Sequence, residues 1–279
     1  MATHPYRVDY HAHTVLCSHA HGTVDDYLER AQALGLSEFG FSEHSHWMVK
    51  TGSRKLAPTP EEMQTYLQWM DERRAFWNGE DGRPKLRVGL EADWVPERLE
   101  EALAFIASYP FDYVIGSVHH VRHPRYPDQW VIGWGYEAED ARAICETYFE
   151  EMAKLAESGL CDILAHLDVI RRGAKLPPEG VLPYLEPIVP RIAASGVAVE
   201  INTSGRDHML LLGEPNTFFP SREALGMLVD AGVPITFGSD SHAPGHVGRY
   251  LEIAMDWLRD AGAKSFARFE GRKMFEVEL

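Results

Sequence analysis

Apolar and polar positions follow two rhythms along this chain. Short runs rich in β-branched and aromatic residues occur at 6–13 (YRVDYHAH), 38–44 (EFGFSEH), 86–93 (LRVGLEAD) and 113–120 (YVIGSVHH). Further runs follow at 162–168 (DILAHLD), 197–203 (VAVEINT) and 234–242 (PITFGSDSH), and the pattern predicts seven strands. Between them, apolar residues recur at helical spacing. Val24, Leu28, Ala31, Leu34 and Leu36 form one stripe within 24–36. A second helix is expected over 59–77, opening on Pro60 and two glutamates, and a third over 139–159, closed by Gly159. The segment 220–232 repeats the form, with Ser221 as its cap and Gly232 at its exit.

Regular alternation of strand and helix implies a mainly parallel sheet with crossover helices. The polar residues at the strand ends then choose between an open sheet and a closed one. The first strand ends in His11 and His13, the second in Glu43 and His44, the third in Glu91 and Asp93, and the fourth in His119 and His120. The fifth carries His166 and Asp168, the sixth Glu200 and Asn202, the seventh Asp240 and His242. An open sheet uses only a few strands at its switch point. Convergence of every strand end on one face instead predicts a barrel with its site at the C-terminal mouth.

At 279 residues the chain has the length of one barrel domain, and no linker or low-complexity stretch divides it, so a single domain over 1–279 is expected. No apolar run approaches the roughly 20 residues of a membrane span, and the start MATHPYRVDY lacks the apolar segment of a secretory signal. No membrane partner and a cytoplasmic location are expected. Cys17, Cys145 and Cys161 are widely spaced and fit no disulfide pattern, in keeping with a reducing compartment. A formal charge of −15 argues against nucleic acid as a partner, because broad phosphate binding requires basic residues. A local basic pocket for one small phosphate is compatible with that charge.

Of the chain's 14 histidines, four fall within VDYHAHTVLCSHAHG at 8–22. His11 and His13, two apart on a strand, point to one face and can chelate one ion. Asp240 and His242 repeat that spacing on the last strand, which closure brings beside the first. Cys17 stands two residues before His19 and reads as a buried thiol, with a ligand role as the alternative. His120 is expected to point into the helix layer, since neighbours on a strand alternate. His46 and His123 lie in loops near the mouth, and Trp47 reads as packing or as a stacking partner for a substrate ring. His4, His208 and His246 carry no signal.

The HAH at 11–13 with His19 six residues later, the EH at 43–44, GLEAD, SVH, AHLD and the terminal SDSH together resemble the PHP (polymerase and histidinol phosphatase) superfamily. The resemblance runs in order from residue 9 to residue 242. HLDVIRR at 166–172 and EINTSG at 200–205 resemble its histidinol-phosphate phosphatase branch. It implies a distorted (β/α)7 barrel and three divalent transition-metal ions, zinc, iron or manganese. Residue by residue it implies His11, His13, Glu91 and Asp240 around one ion, and Glu91, His119 and His166 around a second. His19, His44 and His242 would hold the third, and Glu91 would bridge the first two. His21 matches no position of the pattern and is placed beside the helix start at Thr23. Imidazole and carboxylate without thiolate suit all three metals.

The chemistry expected of such a centre is phosphomonoester hydrolysis by in-line attack of a metal-activated hydroxide, without a phosphoenzyme. Glu91, Asp240 and His242 are the candidate catalytic residues, the last two also as proton donors, although a ligand donates poorly while bound. Arg171, Arg172 and Arg206 are the candidate phosphate-binding residues, with solvated surface arginine as the alternative. Glu43 joins them as a neighbour of His44. The loop 45–60 holds Lys50, Arg54 and Lys55 and is expected to be a lid or a solvated loop. The resemblance implies L-histidinol phosphate as the small-molecule phosphate monoester. Two other readings are a phosphoesterase acting on nucleotides or nucleic-acid ends, and a non-catalytic metal-binding module. The complete ligand set in a chain without a polymerase segment weighs against the module.

Overall fold

The first strands of the barrel wall are β1 (Val8–Asp9), β2 (Glu38–His44), β3 (Lys85–Asp93) and β4 (Tyr113–Ser117) in the computed structural model, which describes residues 6–50, 55–133, 135–173 and 175–279. A hairpin of β5 (His120–His123) and β6 (Tyr126–Ile132) follows, then β7 (Ile163–Leu164), β8 (Ala198–Asn202) and β9 (Ile235–Gly238). The chain ends in a second hairpin, β10 (Ser265–Glu270) and β11 (Lys273–Glu278). The large sheet has seven strands in the order β1-β2-β3-β4-β7-β8-β9, and every neighbouring pair is parallel. It closes on itself through a parallel bridge between Ala12 and Ser241. Tyr10 N donates to Phe237 O at 3.1 Å and His13 N to Ser241 O at 2.9 Å across that seam. The expected distorted (β/α)7 barrel is therefore present, joined along a short ladder.

Helices cover the outside and start where the caps predict. Thr23 and Asp26 form a capping box at the head of Val24–Ala33, and Thr59 and Glu62 form another before Pro60–Trp77. The later helices run over Ala141–Glu157 and Arg222–Asp230, the latter capped by Ser221. Several strands are shorter than their apolar runs. The backbone leaves the ladder at the ligand-bearing ends, where His166 has φ 24° and Asp240 φ 51°, values that extended pairing does not accommodate. Neither hairpin is legible in the strand and helix alternation. The second is made locally by Gly271 and Arg272, both at positive φ, which gives the turn the twist a two-residue loop needs.

The barrel is filled below its mouth by one aromatic ring. Gly89 pairs with Tyr113, and a Cβ at Gly89 would meet the Tyr113 ring at 2.4 Å, as one at Gly40 would meet its hydroxyl at 2.1 Å. Tyr113 is fully buried and donates its hydroxyl to Tyr10 O at 2.6 Å. Glycines on β2 and β3 thus make room for a floor, and Glu91, two residues above Gly89, stands over it. Among the described residues no helix is long and apolar enough to cross a membrane. Gly89→Ala is expected to destabilise the fold by about 1–3 kcal/mol through overpacking, measured by urea unfolding. Unchanged stability would show that Tyr113 does not fill the barrel tightly.

Candidate metal centre

Register sets the heart of the site. His44 pairs directly with Glu91 across β2 and β3, so both side chains project from the same face. Glu91 Oε2 lies 2.6 Å from His44 Nδ1, 3.5 Å from His11 Nε2 and 3.6 Å from His13 Nε2. Its other oxygen, Oε1, lies 3.2 Å from His166 Nε2 and 3.4 Å from His119 Nε2. Asp240 Oδ1 stands 3.3 Å from His13 Nε2 and 3.4 Å from His242 Nδ1. The rings of His19 and His242 stack with centroids 4.6 Å apart. All nine expected ligands therefore gather at the C-terminal mouth.

Oxygen atoms behind these rings aim them. His11 Nδ1 lies 2.9 Å from Glu200 Oε2 and His119 Nδ1 2.9 Å from Asp93 Oδ1. His19 Nδ1 donates to Cys17 O at 2.8 Å and His242 Nδ1 to Asp240 O at 3.1 Å. Each contact holds the N–H on Nδ1 and turns Nε2 inward, the arrangement metal-binding histidines use. His11 Nε2, His13 Nε2 and His242 Nε2 are buried and make no hydrogen bond of acceptable geometry among the described residues. Buried polar atoms are left so only at a cost. A divalent cation is what this set of imidazole and carboxylate donors fits.

The ligand atoms cluster as His11, His13 and Asp240; His44, Glu91 and His119; His13, His44 and His242; and Cys17, His19 and His242. Burial opposes ionisation of Glu91, but the imidazoles of His44, His119 and His11 overcome it and hold its carboxyl well below the usual range. Asp240 is likewise held low, by His11, His13 and His242 against burial. Burial pushes His44 down to about 4. Two carboxylates are thus kept charged, the form in which they ligate metal, while the same carboxylates outweigh burial and raise His11 and His13, the latter to about 9, so a bound cation would take the place of those ring protons.

The mouth opens into a cavity of about 630 Å³, a size suited to a small molecule. Arg172 lies on its wall. Arg171 does not: it is buried, with Nη2 2.8 Å from Glu214 Oε2 and Nη1 donating to Thr217 Oγ1 and Phe218 O. Successive residues on the tight turn Val169–Arg172 point apart, which corrects the expectation for Arg171. Arg206 stacks over Tyr250 and donates to Asn216, and it too lies off the cavity wall. Glu43 is fully buried beneath the ligands, where it accepts from Thr14 N and His44 N, so it supports the site and does not reach substrate.

Other placements also differ from the alternation rule. His120 lines the cavity because β4 has already ended at Ser117, and burial pushes its imidazole down to about 4. His208 and His246, silent in the sequence, line the same cavity, as do Asp207 and Arg249. Trp47 is buried and donates to Asp93 O at 2.9 Å, a packing role. His46 packs on Phe105, and His123 stands 3.4 Å from Asp140. Cys17 is buried with its thiol on Thr14 O, and burial pushes it up to about 12. His21 is exposed, and its carbonyl accepts from Tyr27 in the first covering helix, as expected for a residue outside the ligand set. In the 45–60 loop, Met48 and Leu56 border the cavity and Lys55 pairs with Glu62, while Arg54 lies outside the described residues, as does His4.

A parallel barrel carrying a histidine and carboxylate cluster at its mouth defines a class of metal-dependent enzymes, and similarity to known proteins narrows it. The PHP domain profile matches residues 9–204. A Deinococcus radiodurans protein named "Probable histidinol-phosphatase" is 30% identical over 95% of this chain and 97% of its own length. The histidinol-phosphatase of Bacillus subtilis is 23% identical over 89% of this chain and 98% of its own. A crystal structure of histidinol phosphate phosphatase from Lactococcus lactis, solved with zinc, L-histidinol and phosphate, superposes with a TM-score of 0.76 at 22% identity, covering 98% of this chain and 100% of that one. This chain belongs to the PHP family. Glu200→Gln is expected to weaken divalent-metal affinity by about 10- to 100-fold, read by equilibrium dialysis with elemental analysis. An affinity equal to the parent's would remove Glu200 from the support of His11.

Proposed function

We propose that this protein is a metal-dependent phosphomonoesterase that hydrolyses L-histidinol phosphate to L-histidinol and phosphate, a step in histidine biosynthesis. The observation that carries the reading is the Glu91 carboxylate, set between His11, His13 and His44 on one oxygen and His119 and His166 on the other. A carboxylate so placed is suited to bridge two ions. The names of the full-length relatives, and the histidinol and phosphate in the Lactococcus structure, support the choice of substrate.

The residues divide as the family resemblance implies. His11, His13, Glu91 and Asp240 would hold one ion, Glu91, His119 and His166 a second, and His19, His44 and His242 a third. The contact of His13 with both Asp240 and the His44 and His242 group keeps these positions adjacent. When bound, zinc, iron or manganese ions would supply Lewis acidity, easing loss of a proton from water and withdrawing charge from phosphoryl oxygens.

The chain's own groups do the rest. Arg172, half-buried on the cavity wall, offers a guanidinium that stays charged although burial lowers its pKa, and it would bind the phosphate dianion. Asp240, held ionised, and His242, pushed down to about 2 by burial, serve as ligands and hold no proton for the leaving oxygen. Met48, Leu56, Ile132 and Val169 give the cavity an apolar wall against which an imidazole substrate can pack. Water attacks phosphorus in line, its oxygen bonds to phosphorus as the ester P–O bond to histidinol breaks, and the proton lost by the water is taken up by the departing histidinol oxygen.

Phosphate release should be fast from L-histidinol phosphate, slow from a nucleoside bisphosphate, and lost on chelation. Full activity in a verified metal-free sample would end the proposal. Glu91→Gln is expected to lose turnover by orders of magnitude, because one carboxylate serves two ions, whereas His21→Ala keeps most of it. Arg172→Ala should lower kcat/KM by about 10- to 100-fold, the worth of a charge-assisted hydrogen bond to phosphate. No change in that variant would place the phosphate elsewhere.

A further inference from the structure

Residues 239–242 leave the end of β9 and supply two ligand side chains, Asp240 and His242. Asp240 sits at φ 51°, in the left-handed region that a non-glycine residue occupies only where its surroundings impose it. Two groups fix the backbone there. Asp9, buried below, accepts Ser239 N at 2.8 Å and Ser239 Oγ at 2.6 Å, and also takes Gly248 N at 2.8 Å. Arg249, one residue after Gly248, donates to Ser239 O from Nε at 3.0 Å and Nη2 at 2.8 Å, and from Nη2 to Asp240 O at 3.2 Å.

The Asp240 carbonyl has a second task. It is the oxygen that receives His242 Nδ1, and so it sets the tautomer that leaves His242 Nε2 buried and turned toward the cluster. One guanidinium thereby acts on the backbone of one ligand and the ring of another. Its remaining arm, Nη1, is tied to Asp207 Oδ2 at 2.7 Å, and Asp207 Oδ1 accepts from Tyr250 at 2.7 Å. The planar fork of arginine spans two carbonyls and a carboxylate at once, which an ammonium group does not.

We propose that Arg249 is a positioning residue of the metal centre, holding Asp240 and His242 in their ligating arrangement, with Asp207 as its anchor and Asp9 as a second clamp. The proposal rests on the metal-centre reading given above. It predicts a defect in metal retention that excess metal repairs.

The test dialyses the zinc-loaded full-length protein against zinc–chelator buffers of falling free zinc and measures zinc per chain. The parent retaining zinc in these buffers checks the metal-centre reading by itself; a parent that holds none overturns both. Arg249→Met keeps the apolar stem and is expected to raise the free zinc needed for retention by about 10- to 100-fold. Arg249→Lys should recover part of that loss and Asp207→Asn should show a smaller one. Turnover of Arg249→Met at saturating zinc should return to within about threefold of the parent, the mark of a group that acts through the ligands. Zinc retention equal to the parent's in all three variants overturns the proposal. So does turnover that stays low while zinc is fully bound, since Arg249 would then be touching substrate. Should Arg249→Met fail to fold, Arg249→Lys and Asp207→Asn decide by the same readings.

Discussion

Everything at the mouth of this barrel depends on keeping one buried carboxylate charged. Glu91 is almost completely removed from water, where an ionised group is stable only if partners replace the lost solvation. Five imidazoles from four separate segments do so, and their positions are set by strand order and by the pairing of His44 with Glu91. These partners are spread from residue 11 to residue 166, so no single strand and its helix assemble the ring.

Behind the ligands stands a layer of oxygen atoms that share no obvious sequence pattern. Glu200, Asp93 and the carbonyls of Cys17 and Asp240 each take one ring N–H, and the strained backbone at His166 and Asp240 turns those two side chains off the line of their strands. Each unsatisfied inward nitrogen left by this arrangement costs about 1–3 kcal/mol in the absence of a cation. The fold therefore gives up stability at its mouth and regains it in the tightly packed layers beneath.

Strand-end residues made the candidate ligands legible, because a period of two fixes which side chains share a face and barrel closure brings every strand end to one rim. His11, His13, Asp240 and His242 follow from spacing alone. Their division among ions came only from family resemblance. The rule failed where regular structure stopped: His119 and His120 both reach the cavity because the strand ends before them, and Arg171 and Arg172 part company on a tight turn. Arg249 and Asp207 meet across 42 residues, and no local periodicity announces such a pair. The two hairpins escaped for a related reason, since each is an antiparallel excursion with mainly exposed outer strands, outside the alternation that marks the barrel.

Tyr113 has a consequence for traffic through the molecule. Its ring lies across the barrel where Gly40 and Gly89 leave room, just under Glu91, and it turns the barrel into a blind well. A substrate that reaches the cluster and both products that leave it must share one opening. Either product, while it stays in the well, occupies part of the place of the next substrate, so competition of product with substrate follows from the shape of the well.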